Sequence, residues 1–288
     1  SFFPAAASDG TPIQSAMAVV DTNNGAVLAM IGGRDYTVRR GLNRATQMRR
    51  QPGSALKPLA VYGPALELGY TTASVLLDEK TSFGGYTPRN AGDRYYGLVT
   101  MRTAIRNSLN TTAVRLLEEI GLDASIQYLN KMGIPTRNSD RNLSLALGSM
   151  TYGVTPVELA AAYVPYANGG IYHQPYCVER IETVDGSNVY ERKDSGKQVL
   201  SAQNAFLMTS LLQSVVSSGT GTRMLAANTP IAGKTGTVSM TGGNRDIWMT
   251  AYTPEISVAV WMGYDQTDAK HKISNGITGG RNTASLAA

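Results

Sequence analysis

The chain changes from predicted strands to predicted helices at the stretch RQPGSALK, residues 50–57. A Pro-Gly pair interrupts any regular element before it, and a helix is predicted over residues 54–68. A spacing of three residues places Ser54 and Lys57 side by side on one face of that helix. The stretch therefore predicts a boundary between a sheet and a group of helices, with a serine and a lysine adjacent at the boundary.

Strands are predicted near both ends of the chain. Residues 16–21 and 26–31 are apolar runs, and the TNNG turn between them is typical of a β-hairpin because Asn and Gly tolerate positive φ. Residues 230–237, 246–253 and 256–264 predict three more strands, the last two joined by a tight Pro-Glu turn. We expect strands from the two ends to pair in one antiparallel sheet.

The middle of the chain is predicted to be helical. Apolar residues recur at helical spacing over residues 103–120, 122–132 and 202–217. Thr155 and Glu158 form a predicted capping box at the start of another helix, with Pro156 in its first turn. Residues 176–190 predict a peripheral hairpin around an Asp-Gly pair.

These elements predict an α+β fold, with an antiparallel sheet flanked by helices, an all-helical subdomain, and a cleft where the two parts meet. We expect residues 1–11 to be a residual linker from an upstream region and residues 12–288 to form one domain. Its sheet subdomain is predicted to cover about residues 12–53 and 196–288, and its helical subdomain about residues 54–195.

Composition excludes some classes of site. Cys177 is the single cysteine, so no internal disulfide can form, and His173 and His271 lie outside any ligand-spaced motif. Neither a metal site nor a cofactor is therefore expected, and both histidines are expected to lie in solvent. No apolar run approaches the ~20 residues that a membrane-spanning helix needs.

Basic residues are concentrated in residues 34–57, although the net charge of the chain is only +5. The stretch has one acid, Asp35, and seven cations: Arg34, Arg39, Arg40, Arg44, Arg49, Arg50 and Lys57. One interpretation is an ordinary solvated face. The other is a surface that approaches an anionic polymer or lipid headgroups. Nucleic acid is not expected, because no groove-reading or aromatic-interleaved motif accompanies the charge.

Three short motifs, each weak alone, occur in order along the chain: Ser54-Ala55-Leu56-Lys57, Ser108-Leu109-Asn110 and Lys234-Thr235-Gly236. A serine hydroxyl becomes a good nucleophile only when a base removes its proton. Lys57 can be that base for Ser54 only as a neutral amine, which requires burial or a nearby cation such as Lys234 to lower its pKa. The alternative is a capping serine followed by a surface lysine.

The third motif, extended to Lys234-Thr235-Gly236-Thr237, lies in a predicted strand. An extended backbone with a glycine allows a substrate to lie alongside as an added strand. The backbone N–H groups of Thr237 and Ser54 would then form an oxyanion hole. The hydroxyls of Thr235 and Thr237, with Lys234, suit a terminal carboxylate. The alternative is an ordinary edge strand with its lysine in solvent.

Ser108 and Asn110 are two residues apart and would point to different sides of a continuous helix. They converge only if the helix breaks, which the weak helix formers around them permit. Ser108 would then relay a proton to a leaving amine, and Asn110 would hold a substrate amide. The alternative is a polar patch that faces solvent on one long helix.

Together the three motifs resemble the signature of penicillin-binding proteins and class A β-lactamases. Flanking segments narrow the resemblance to class A, bifunctional penicillin-binding proteins: residues 43–54, 86–90, 95–97 and 246–254. The likeness extends over the chain from Pro12 onward. Leu56 and Val238 are small departures, since Phe and Thr are common there in the family; neither should abolish acylation.

The resemblance implies a D-alanyl-D-alanine transpeptidase that forms an acyl-enzyme on Ser54. The acyl group would pass to an amine on a neighbouring peptidoglycan stem peptide, and β-lactam antibiotics would acylate the same serine. An upstream glycosyltransferase domain and a membrane anchor are also implied in the parent chain. The domain would then act at the extracytoplasmic face of the bacterial membrane, where anionic wall polymer is present.

Three alternatives stay open. A β-lactamase would need a base to activate the deacylating water, and Glu158 is the one acid in a suggestive place, although a capping box explains it better. A DD-carboxypeptidase would pass the acyl group to water. A non-enzymatic β-lactam sensor or scaffold domain would keep the fold without transfer, but a scaffold should have lost a motif residue, and none is lost.

Overall fold

The computed structural model describes residues 3–288, so the first two residues of the predicted linker lie outside the described part. The strands are β1 (Gln14–Asp21), β2 (Val27–Ile31), β3 (Val75–Asp78), β4 (Gly97–Thr100), β5 (Ile171–Tyr172), β6 (Arg180–Glu182), β7 (Asn188–Glu191), β8 (Lys197–Gln198), β9 (Ala232–Met240), β10 (Gly243–Tyr252) and β11 (Ile256–Gly263). The α-helices are α1 (Gly63–Glu67), α2 (Met101–Arg106), α3 (Asn110–Ile120), α4 (Leu122–Lys131), α5 (Pro156–Ala167), α6 (Ala202–Ser218) and α7 (Ala284–Ala287).

The central sheet has five antiparallel strands in the order β2-β1-β11-β10-β9. β1, the first strand in sequence, pairs with β11, the last strand in sequence, from Gln14 opposite Gly263 to Asp21 opposite Ile256. The predicted pairing of strands from the two ends of the chain is therefore confirmed. The sheet ends at β9, which carries the lysine motif on an edge strand.

Helices cover the sheet and continue into a mostly helical part. Within the described residues, α5 packs on β1 and β11, and α6 packs on β9. Two tyrosines of α5 donate to backbone carbonyls of the segment that follows Ser54. Tyr163 Oη donates to Ala55 O at 2.6 Å, and Tyr166 Oη donates to Pro58 O at 2.9 Å. These contacts fix the start of the helical part against the sheet.

The helix predicted over residues 54–68 is present but irregular. It starts as a 3₁₀ turn (Gly53–Leu56), continues as a π-helical turn (Pro58–Tyr62) and ends as α1. Pro58 and Pro64 explain the change, because proline lacks an N–H and cannot donate to the helical ladder. The peripheral hairpin predicted in residues 176–190 is confirmed as β6 and β7.

The basic stretch does not form a continuous charged surface. Three of its arginines form ion pairs within the chain: Arg44 with Asp265, Arg49 with Glu158 and Arg50 with Asp246. Lys57 is fully buried, whereas Arg34, Arg39 and Arg40 are exposed. The hypothesis that the stretch approaches an anionic surface is therefore limited to these three exposed arginines. No helix in residues 3–288 is both long and apolar enough to span a bilayer.

One expectation about the histidines is wrong. His173 is only 8% exposed, because Gly25 and Gly196 pack on its side chain. A Cβ on Gly25 would lie 2.6 Å from Cβ of His173, so the absence of side chains on these glycines makes room for the imidazole. His271 is partly buried between Asp9 and Asp268, which raise the pKa of its imidazole.

Candidate active site

A cleft of about 610 Å³ lies where the sheet edge meets the helical part. Residues from all three sequence motifs line it: Ser54, Ser108, Asn110, Thr235 and Thr237. Lys57 and Lys234 are fully buried, and Lys57 Nζ hydrogen-bonds Ser108 and Asn110 while Lys234 Nζ hydrogen-bonds Ser108. The structure therefore brings the predicted residues together at one site.

Ser54 lies in the 3₁₀ turn, which is pressed against β9. Gly53 has φ +56°, and a Cβ there would lie 2.9 Å from the carbonyl oxygen of Thr237. A Cβ on Gly236 would lie 2.2 Å from Pro52 O. Gly236 therefore allows the serine turn to approach the strand, whereas the sequence suggested that it makes room for substrate. The result is a half-buried Ser54 beside the backbone of Thr237.

Lys57 lies behind Ser54 with no exposed surface. Its Nζ donates to Ser108 O at 2.7 Å, Leu109 O at 2.9 Å and Asn110 Oδ1 at 2.7 Å. Burial lowers the pKa of Lys57 well below its usual value, and the charge of Lys234 lowers it further. A lysine with so low a pKa is available as a neutral amine that can accept a proton.

The chain breaks between α2 and α3 as predicted. Ser108 has φ +56°, so the backbone leaves the helical path there and α3 starts again at Asn110. Ser108 Oγ accepts a hydrogen bond from Lys234 Nζ at 2.8 Å and lies 3.4 Å from Lys57 Nζ. The hydroxyl therefore connects the two lysines, and burial lowers the pKa of Lys234 to about 7.

Asn110 is held from both ends of its amide. Its Oδ1 accepts from Lys57, and its Nδ2 donates to Arg89 O at 2.7 Å. One N–H of the amide is left to donate toward a ligand. Asn110 thus orients the lysine as well as facing the cleft.

Sequence reasoning missed the buried carboxylate that supports the chain break between α2 and α3. Asp78 is fully buried at the end of β3 and accepts from Asn90 Nδ2 at 2.7 Å, from Tyr96 N at 3.0 Å and from the Thr111 hydroxyl. Asn90 Oδ1 in turn accepts from the backbone N–H of Asn110 at 2.7 Å. Asn90 lies in a segment that resembles the family, but nothing in the sequence distinguishes Asp78 from an ordinary acid.

Thr220 was also missed. Its hydroxyl lies 2.8 Å from that of Thr235, so a second threonine stands beside the predicted carboxylate-binding group. No pattern connects it with the lysine motif, because it follows α6 and is 15 residues away in sequence. The cleft lining contains no Asp or Glu side chain. Among residues 3–288, no group of three acidic, histidine or cysteine side chains is arranged to hold a metal ion.

Alignments with curated relatives cover most of this chain but only part of the length of each relative. It is 45% identical over 261 residues to penicillin-binding protein 1F of Bacillus subtilis, which covers 89% of this chain and 36% of that protein. It therefore spans about a third of the length of that relative.

Solved structures match the fold. Penicillin-binding protein 1A of Haemophilus influenzae superposes with a TM-score of 0.82 at 27% identity, covering 97% of this chain and 48% of the other. PonA1 of Mycobacterium tuberculosis, solved in complex with penicillin V, gives a TM-score of 0.80 at 26% identity, covering 96% and 76%. The mixed sheet-and-helix architecture predicted from the sequence is thus confirmed.

A family model described as the penicillin-binding protein transpeptidase domain matches residues 15–287, nearly the whole chain. With the cleft, the three motifs and the structural relatives in agreement, this chain belongs to the family of penicillin-binding protein transpeptidase domains.

Proposed function

We propose that this domain is a D-alanyl-D-alanine transpeptidase that crosslinks peptidoglycan stem peptides through an acyl-enzyme on Ser54. The observation that carries the proposal is the buried pair Lys57 and Lys234, joined through Ser108 at the wall of the cleft that contains Ser54. Two buried lysines with lowered pKa values have no structural advantage, because burying them costs free energy. They are expected where chemistry requires them.

In the first half-reaction, neutral Lys57 takes the proton of Ser54 as its Oγ attacks the carbonyl of the penultimate D-alanine. The backbone N–H groups of Ser54 and Thr237 stabilise the oxyanion. Ser108 passes a proton to the departing amine of the terminal D-alanine and regains one from protonated Lys57. Lys234, Thr235 and Thr237 hold its carboxylate, and the free N–H of Asn110 holds a donor amide. In the structure Lys57 Nζ hydrogen-bonds residues other than Ser54, and such catalytic contacts often form only with substrate bound.

In the second half-reaction, an amine on a neighbouring stem peptide attacks the acyl-serine. The cleft supports an amine rather than water as the acceptor, because no carboxylate lines it to activate water. Glu158, the acid that the lactamase alternative needs, is used elsewhere. It completes the capping box with Thr155 and pairs with Arg49 at 2.6 Å.

Membership of the family also supports proposals about β-lactam binding, the parent protein and its location. A β-lactam acylates Ser54 in place of the donor peptide. The parent protein is expected to carry an upstream glycosyltransferase domain and a membrane anchor, which place this domain at the extracytoplasmic face of the membrane. The exposed Arg34, Arg39 and Arg40 are the residues left to approach anionic wall polymer or lipid headgroups.

The experiment that separates transpeptidase from β-lactamase uses the chromogenic cephalosporin nitrocefin. We expect ring opening to stall after about one equivalent per chain, because the ring-opened lactam stays tethered and blocks the acceptor path. Stalled turnover with a stable adduct on Ser54 supports the proposal. Sustained turnover that Glu158→Gln abolishes would replace it with a lactamase.

A further inference from the structure

A second cavity adjoins the active-site cleft on the side of Ser108. Its volume is about 310 Å³, half that of the main cleft. The linings of the two cavities share Asn90, Asn107, Ser108 and Thr220. Since Thr220 contacts Thr235 through its hydroxyl, the second cavity begins at the Thr235 end of the main cleft.

The main cleft extends along β9 in the opposite direction. Its lining passes from Thr235 to Thr237 and on to Ser239 and Asn244. Under the proposed function, the terminal carboxylate of the donor lies at Thr235 and the carbonyl under attack lies at Thr237. The rest of the donor peptide therefore runs toward Ser239, which leaves the second cavity unoccupied by the donor.

The chemistry of acyl transfer requires the acceptor to enter where the first amine left. The departing and attacking amines occupy the same position by microscopic reversibility, so both use the Ser108 side of the ester. In this step the new C–N bond forms as the ester bond to Ser54 breaks. The amine proton passes through Ser108 and Lys57 to Oγ of Ser54. The second cavity opens at that position.

The charge of the second cavity indicates what kind of acceptor it fits. Arg94 is the one charged side chain in its lining, and it is exposed. Its guanidinium has no hydrogen bond or ion pair with any residue from 3 to 288. A free guanidinium matches a carboxylate in a two-point contact. It also disfavours the protonated form of a nearby amine, and the neutral form is the nucleophile.

We propose that this second cavity binds the acyl acceptor, a peptide amine that also carries a carboxylate, and that Arg94 binds that carboxylate. Tyr96, which is 54% exposed in the same lining, offers a flat surface for the acceptor's carbon chain. The inference rests on the proposed function, because it concerns the second half-reaction of the same site.

The test compares two acceptors that differ only in the carboxylate. A linear thioester donor forms the acyl-enzyme, and release of the acyl group is measured with Nα-acetyl-lysine and with Nα-acetyl-lysinamide. We expect the acid to accelerate release about fivefold more than the amide, as one exposed charge pair allows. Arg94→Gln should bring that ratio close to one, and Arg94→Lys should give an intermediate ratio. Arg39→Gln, an exposed arginine outside both cavities, should keep the ratio of the unchanged protein.

Each outcome decides the inference. Equal acceleration by acid and amide, no acceleration by either, or an unchanged ratio in Arg94→Gln would overturn it. The mass of the chain after exposure to the donor distinguishes failure of the proposed function from failure of the acceptor site alone. If the donor fails to acylate Ser54, the proposed function itself fails; if it acylates Ser54 and the ratio is one, only the acceptor site fails.

Discussion

Lys57 and Lys234 are both fully buried, and the Ser108 hydroxyl lies between their nitrogens at 3.4 and 2.8 Å. Two ammonium groups so close in a low-dielectric site repel each other strongly, so one of them gives up its proton. Burial and the charge of Lys234 lower the pKa of Lys57, and burial lowers the pKa of Lys234 to about 7. The proposed chemistry uses Lys57 as the neutral base and Lys234 as the cation.

The first prediction concerns the base. Lys57→Met keeps a long unbranched side chain but removes the amine, so acylation by benzylpenicillin should fall by about 10²–10⁴-fold, the usual contribution of a general base. Lys57 donates to three acceptors between α2 and α3, and the melting temperature shows whether the fold survives the loss of these hydrogen bonds. Acylation at near-normal rate in a folded Lys57→Met protein would rule out Lys57 as the base.

The second prediction concerns pH. Lys57 must be neutral, so acylation should slow as the pH falls through its lowered pKa. Lys234 must be charged to hold a carboxylate, and its pKa is about 7, so it loses its charge as the pH rises through that value. KM for a D-Ala-D-Ala donor should therefore rise above about pH 7, whereas KM for the matching donor with an amidated terminus should not. The charge of Asp78 also acts on Lys57 and raises its pKa. Identical pH profiles for the two donors would contradict this role of Lys234.

At the scale of elements, the serine turn and β9 touch through their backbones. Gly236→Ala would place a Cβ 2.2 Å from Pro52 O, which forces the turn and the strand apart. We expect a loss of about 1–3 kcal/mol in the free energy of unfolding, as for other overpacked sites, together with a large fall in acylation. Gly276→Ala is the matched control, because nothing lies within 4 Å of its Cβ position. Equal behaviour of the two variants in denaturant titration and penicillin labelling would show that the close approach is unimportant.

The corner between α2 and α3 depends on Asp78. Asp78→Asn cannot accept all three hydrogen bonds that the carboxylate accepts, so the start of α3 should shift and acylation should fall. Loss of the negative charge should also move the acid limb of the pH profile to lower pH, because Asp78 raises the pKa of Lys57.

The control for that substitution is Asp140→Asn. Asp140 is also fully buried and accepts from the backbone N–H groups of Thr151 and Arg137. Its loss should cost stability of about 1–3 kcal/mol without moving the pH profile of acylation. If both variants leave the profile in place, Asp78 is structural only.

Sequence reasoning predicted elements well where one local signal decides them. The TNNG turn, the capping box at Thr155 and the weak helix formers around Ser108 all gave correct predictions, because each acts within a few residues. It did not predict the mixed 3₁₀ and π character after Ser54, the packing role of Gly236, or the Asp78 network. These depend on contacts between segments far apart in sequence, which no local pattern specifies.

At the scale of the whole molecule, the ends of the chain meet in the sheet and the helical part lies between them. This arrangement places Ser54, Ser108 and Thr235, which are far apart in sequence, in the lining of one cleft. The three motifs, through their resemblance to a known family signature, were sufficient to predict that they share a site. The second cavity was not predictable, because Arg94 and Thr220 become neighbours of Ser108 only through the fold.

Ser54 is the proposed nucleophile of a β-lactam-sensitive transpeptidase. The most direct test is the intact mass of the chain after incubation with benzylpenicillin, followed by peptide mapping. We expect one penicilloyl group per chain, on the peptide that contains Ser54, stable for many minutes, and no adduct on Ser54→Ala. An adduct on another residue, or labelling that persists in Ser54→Ala, would contradict it.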